Sequence, residues 1–292
     1  VNLIAAIVVS WLFVGLWISL MQSLRLGKQV RADGPQSHLS KTGTAHMGGA
    51  AFLMAAAVVY FALGPDRFAP LWVLVGGFAL LGFVDDLAGS MRRPLRAREK
   101  TLLGGLMAVI FAVWASRQLA TPYLPIAQPY ADIALITLVI YAAANAFNFA
   151  DGVDGLLGTL SAVMLLAFFN QPIAQSMVGA LLGFLWYNAP KAKVFMGDVG
   201  SNALGVLVAG LMVLDGKLWY LPLVALYPVV ATLSVMIQVN YFRRTGKRFF
   251  KMSPIHHHFE LSGWSEAKIV FRFGVVTALT TACAMLLWGG LK

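Results

Sequence analysis

Apolar stretches of near-membrane length alternate with short polar breaks along almost the whole chain. They fall at roughly 2–21, 47–63, 71–87, 101–119, 132–149, 156–169, 173–188, 199–214, 218–240 and 269–290. A helix needs about 20 apolar residues to cross the hydrocarbon core, with a working range near 17–25. Most of these stretches meet that length. The stretches 156–169 and 173–188 are short enough to be tilted, kinked or partly re-entrant, and as a hairpin they would leave the sidedness of all later loops unchanged. Linkers between the stretches carry Pro65, Pro70, Pro122, Pro125 and Pro129, as turns do. No ten-residue alternation of the β-barrel kind is present. The pattern predicts an all-α, polytopic transmembrane helical bundle of about ten spans, forming a single domain over residues 1–292.

Composition agrees. The 292 residues are 59% hydrophobic and 12% charged, against about 25% charged in a soluble domain. Cys283 is the single cysteine, so there is no disulfide framework. Residues 3–21 lack a basic leader and a clear small-residue cleavage site, and read as a first span rather than a signal peptide.

A net charge of +10 raises nucleic acid as a partner, but the distribution argues against it. The loops 22–46, 88–100, 150–155, 189–198 and 241–268 share one face and hold most of the Lys and Arg, among them Lys41, Arg92, Arg93, Lys100, Arg243 and Lys251. The opposite face holds Arg67, Arg117, Lys217 and Lys292. This bias places the first face in the cytoplasm and both termini outside.

The polar clusters change the picture, because all of them fall on that cytoplasmic face. Asp85-Asp86 ends the third apolar stretch, where the helix dipole is negative and a carboxylate is disfavoured. Paired acids there suit Mg²⁺ or general-base work better than helix termination. Asp151-Gly152-Val153-Asp154-Gly155 reads as a turn with a helix cap, but Asn145, Asn148 and two acids together at a membrane edge exceed what a cap needs. Met196-Gly197-Asp198-Val199-Gly200-Ser201 opens the eighth stretch, and suits either a cap or a phosphate site. His256-His257-His258 is too contiguous for one tetrahedral zinc ion, so phosphate or sugar contact fits better. The basic runs 92–100 and 243–251 serve mainly as topology anchors.

Taken together, these residues resemble the polyprenyl-phosphate N-acetylhexosamine-1-phosphate transferase superfamily. The stretch from Lys251 to Glu266, with Pro254-Ile255-His256-His257-His258-Phe259-Glu260 at its heart, narrows the resemblance to the phospho-N-acetylmuramoyl-pentapeptide transferase family. The segment Gly34 to Lys41 and the Met196–Ser201 motif are also similar. The resemblance implies transfer from UDP-MurNAc-pentapeptide to undecaprenyl phosphate, giving lipid I and UMP with Mg²⁺. It also implies a homodimer among membrane lipids in the bacterial cytoplasmic membrane, with the active site facing the cytoplasm. It makes Asp85, Asp86, Lys100, Asp198, His256, His257 and His258 catalytic-site residues, with Asp198 the metal ligand. Lys41, Thr44, Asn145, Asn148, Asp151, Asp154, Asn188 and Phe195 would line the nucleotide and diphosphate pocket, Phe195 stacking on uracil. Two departures stand out. The family usually has Pro-Thr at Ala45-His46, and a Lys at Gly89, whose charge Arg92 or Arg93 would replace.

Helix polarity adds an expectation: Asp85 and Asp86 at a negative helix end, drawing cations, and Asp151, Asp154 and Asp198 at helix starts, drawing phosphate. The nearest rival activity moves GlcNAc-1-phosphate onto the same carrier. A transporter would place charges at mid-span and show repeat symmetry, and neither is seen.

Overall fold

A computed structural model describes residues 1–24, 43–91 and 93–289. Lys41 and Arg92 lie outside the described residues. Among these, the chain forms α1 (Asn2–Ser23), α2 (Gly48–Ala62), α3 (Leu71–Ser90), α4 (Ala97–Ser116), α5 (Tyr130–Ala150), α6 (Leu156–Leu165), α7 (Pro172–Asn188), α8 (Gly197–Leu214), α9 (Leu221–Val224), α10 (Leu226–Thr245), α11 (Ile255–Glu260) and α12 (Glu266–Leu287). The described residues include no β-ladder beyond a single parallel bridge between Ala45 and Val194. Six of the helices are long and apolar enough to cross a membrane, or seven if the bent α9–α10 pair is one span.

Helix α8 is the axis of the bundle. Of its apolar window, 83% is buried, against 22–33% for the other five long spans. Helices α2, α3 and α5 pack around it, while α1 runs along α7. The exposed sides of the outer helices carry Ile4, Leu16, Val73, Leu102 and Leu138, as lipid-facing surfaces do.

The apolar stretches match the helices closely except in three places. The stretch 218–240 is broken: α10 turns 76° away from the short helix before it. Pro228 explains the break. It lacks an N–H, and its ring would collide with the carbonyl four residues back, at Val224, where α9 ends. Second, α3 runs on through Ser90, so Asp85 and Asp86 sit inside its last turns and not at its tip. Third, the His triplet is helical, forming α11 between α10 and α12.

Candidate active site

Close backbone crossings build the site. Gly82 of α3 meets the start of α8, where an added Cβ would stand 2.4 Å from the Asp198 carbonyl. The segment before α2 lies alongside the segment before α8. The Phe195 amide donates to the Ala45 carbonyl at 2.9 Å, and the Gly48 and Gly49 amides donate to the Phe195 and Met196 carbonyls at 2.8 and 2.9 Å. The first free amides of α2 are thus satisfied by the strand-like lead-in to α8. Gly197 has φ +72°, and its absent Cβ leaves the space that Asp86 Oδ2 fills, at 2.4 Å from where that atom would be.

The charged groups interlock around this crossing. Asp85 Oδ1 accepts the Leu95 amide at 3.1 Å, and Oδ2 pairs with Lys100. Lys100 Nζ is also 3.9 Å from Asp198 Oδ2. Asp86 is turned away from Lys100: Oδ1 lies 3.3 Å from His46 Nε2, and Oδ2 accepts the Val199 amide at 3.3 Å. Asp86 therefore caps α8 from a neighbouring helix, in the way an N-cap carboxylate satisfies a first-turn amide. Asn148 donates to Ser201 Oγ at 3.2 Å, and Ser201 Oγ donates to the Gly197 carbonyl at 3.2 Å. Asp85, Lys100, Asn145, Asn148, Asp198 and Asn202 line one small polar cleft of about 100 Å³. The Asp198 side chain is 32% exposed to it.

The remaining expected residues form two neighbouring groups. Asp154 is buried; its Oδ2 accepts the Ala192 amide at 2.9 Å, and its own amide donates to Glu266 at 3.1 Å. Asn188 is buried too, accepting from Gly155 at 3.1 Å and donating to Val194 at 2.8 Å. Together they tie the 189–194 loop to the start of α6. Thr44 and Phe195 are half-buried beside the α2 and α8 lead-ins. Asp151 is the C-cap of α5, with φ −88° and ψ 61°. This corrects the expectation that Asp151 opens a helix: the helix of Asn145 and Asn148 runs on to Ala150, and α6 begins only after Gly155. In the His group, His256 Nδ1 is 2.8 Å from the Tyr227 hydroxyl, His257 Nδ1 is 2.6 Å from Glu260, and His258 Nδ1 accepts the Lys251 amide at 3.2 Å. His256 docks onto the Asp151–Gly155 turn, where a Cβ on Gly152 would fall 2.0 Å from its Nε2.

Glycosyl transferase family 4 matches residues 68–215, which include Asp85, Asp86, Lys100, Asn148 and Asp198. A phospho-N-acetylmuramoyl-pentapeptide-transferase of Deinococcus radiodurans is 41% identical, covering 99% of each chain. One of Deinococcus deserti is 45% identical over 98% of this chain and 99% of its own, and one of Carboxydothermus hydrogenoformans is 42% identical over 88% of each. The chain belongs to the phospho-N-acetylmuramoyl-pentapeptide-transferase family. As a member of that family with several apolar spans, it is a multi-pass bacterial membrane protein.

A divalent cation suits the cleft of this transferase-family chain by donor chemistry. Among the described residues, no three His, Cys, Asp or Glu side chains converge as a closed cage. Asp86 is committed to α8 and Asp85 to Lys100 and Leu95. That leaves Asp198 and the amide oxygens of Asn145, Asn148 and Asn202 as hard oxygen donors in the cleft. Such a partial set fits Mg²⁺, which keeps waters and takes one or two carboxylates plus substrate phosphates.

Five residues of the network carried little or no warning. Asn202 lies four residues after Asp198, on the same helix face, so that spacing was a usable signal. Glu260 stands three residues after His257, which is informative only once α11 is known to be a helix. Nothing in the local sequence points to Tyr227, Glu266 or the pairing of His46 with Asp86.

Proposed function

We propose that this protein transfers phospho-MurNAc-pentapeptide from UDP-MurNAc-pentapeptide to undecaprenyl phosphate, yielding lipid I and UMP. The observation that carries the reading is Lys100, held by Asp85 and reaching toward Asp198 across a polar cleft at the ends of apolar helices. An acceptor phosphate oxygen attacks the phosphorus bonded to the sugar. The bond from that phosphorus to the bridging oxygen breaks, and UMP leaves with the electron pair.

Phosphoryl transfer needs positioning and charge neutralisation more than covalent help. Lys100 supplies fixed positive charge at the cleft, and Asp85 keeps it there. Asp198, with Asn145 and Asn148, would hold Mg²⁺, which when bound offsets the negative charge of the diphosphate. The acceptor's second ionisation lies near pH ~6, so it is largely a dianion at neutral pH. We assign steering of any residual proton to Asp85, in a direct displacement without an aspartyl-phosphate intermediate. Lys41, Thr44, Asp151 and Phe195 would contact the nucleotide diphosphate, Phe195 stacking on uracil. Asp154 and Asn188 would shape that pocket through the loop they hold, and His256, His257 and His258 would complete it. The Lys/Arg bias supports a cytoplasm-facing site with both termini outside, and the apolar run lengths support ten spans, α2, α6 and α7 included, in one bundle that makes one domain. The family resemblance supports a homodimer.

The deciding experiment incubates purified protein with undecaprenyl phosphate, Mg²⁺ and either UDP-MurNAc-pentapeptide or UDP-GlcNAc. UMP release with the first donor alone is expected. Release with UDP-GlcNAc alone, or with neither, overturns the reading.

A further inference from the structure

We infer that His46 is a positioning residue: it fixes the Asp86 carboxylate under the first turn of α8 and through it sets the aim of Asp198. The inference rests on the proposed activity only for its kinetic consequence; the geometric part stands alone.

The backbone of His46 is pinned on every side. Its carbonyl accepts the Trp17 indole N–H at 3.0 Å, tying it to α1. The preceding carbonyl, of Ala45, accepts the Phe195 amide at 2.9 Å. The following residue, Met47, sits in the left-handed region at φ 59°, a conformation that β-carbon-bearing residues adopt only when their surroundings impose it. The imidazole therefore leaves a rigid base. Its Nε2 meets Asp86 Oδ1 at 3.3 Å, with the two side chains only 13% and 8% exposed.

Among the described residues, the Asp86 side chain has one further partner. Oδ2 accepts the Val199 amide at 3.3 Å, a long bond that one donor alone would leave free to swing. With Nε2 of His46 against Oδ1, the carboxylate has a partner at both oxygens. The Val199 amide that Oδ2 accepts lies in the first turn of α8, directly after Asp198. The imidazole ring also borders Gly197, with Cε1 3.1 Å from the position of an added Cβ. A buried carboxylate that loses one of two partners is costly and finds another arrangement. Here any such rearrangement releases the first-turn Val199 amide of α8.

Of its two ring nitrogens, Nε2 faces Asp86, and Nδ1 is buried without a hydrogen-bond partner among the described residues. A histidine kept only to satisfy its own polar atoms would use both nitrogens. This one uses the nitrogen that faces Asp86.

The test compares His46→Leu, which keeps the bulk and removes the donor, with His46→Gln, whose side-chain amide can donate from a similar reach. Two readouts are taken. In hydrogen exchange of the purified protein, Leu should speed exchange of amides 197–201, and Gln should leave them near wild type. In UMP release, Leu should lower kcat about tenfold or more, within the range of couplings between contacting residues, with KM for UDP-MurNAc-pentapeptide within about twofold, and Gln should restore most of the rate. Thermal melting of both variants checks that each is folded. Unchanged exchange at 197–201 in a folded His46→Leu protein overturns the inference, as does equal loss of kcat in the Leu and Gln variants. If wild type releases no UMP, the proposed activity fails and the exchange comparison still decides the role of His46.

Discussion

The Lys100 ammonium stands 3.9 Å from Asp198 Oδ2, near enough to share its charge and too far for a hydrogen bond. Its firm partner is Asp85, on a different helix. Lys100 is thus parked beside Asp198 and not bound to it.

Removing that charge should be severe. Lys100→Ala is expected to lower kcat for UMP release by about 10²–10³-fold, the scale of deleting one preorganised charge-stabilising group. Lys100→Arg should recover only part of it, since a planar guanidinium cannot stand in for a compact ammonium at one point. Steady-state rates for both variants, beside their melting temperatures, check this. An Ala variant within about threefold of wild type contradicts the role, that being far below the loss expected of such a group.

Asp198→Asn should abolish turnover while the protein remains folded in detergent. A neutral amide oxygen cannot supply the anionic ligand that the cleft otherwise lacks. Substantial UMP release by the folded variant at ordinary Mg²⁺ would remove Asp198 from the metal-ligand role.

Asp85→Asn should show a deficit that depends on pH. Below the acceptor's second ionisation, near pH ~6, a proton must be taken up during transfer; above it, most acceptor is already deprotonated. The gap between variant and wild type should therefore narrow as pH rises from about 6 to about 9 on that titration. A flat, near-complete loss points instead to a covalent aspartyl phosphate, or to loss of Lys100 anchoring as the whole effect.

Sidedness can be read with single cysteines. Ser90 and Ser262 are both exposed. Each, changed to Cys in a Cys283→Ser background, should react with an impermeant maleimide only after the cells are opened. Labelling of either in intact cells would reverse the assignment from the Lys/Arg bias.

Much of this architecture was legible because apolar run length is a strong signal in a membrane chain. The starts of α3, α5 and α7 fall within a residue or two of the apolar boundaries. The acids were legible for the same reason: Asp85, Asp86 and Asp198 interrupt apolar surroundings at the cost of desolvation. What failed was local geometry inside uninterrupted runs. Pro228 sits in a stretch of unbroken hydropathy, so its break left no trace in the pattern. A helix as short as α11 offers too little periodicity to read. Asp151 was placed on the wrong side of a turn, because Asp-Gly favours both a helix end and a helix start. Partnerships such as Tyr227 with His256 join residues far apart in sequence and carry no local mark.

Gly49 and Gly82 bring α2 and α3 to α8 with main chain against main chain. The distance between the peptide groups bearing Asp86 and Asp198 is thereby ruled by backbone atoms, which have no rotamers to exchange. That spacing inherits the stiffness of the polypeptide itself, and rotation of a side chain alone does not change it. It also makes the tolerance one-sided. At these two positions every substitution is an enlargement, so the gap can be widened by mutation but never narrowed.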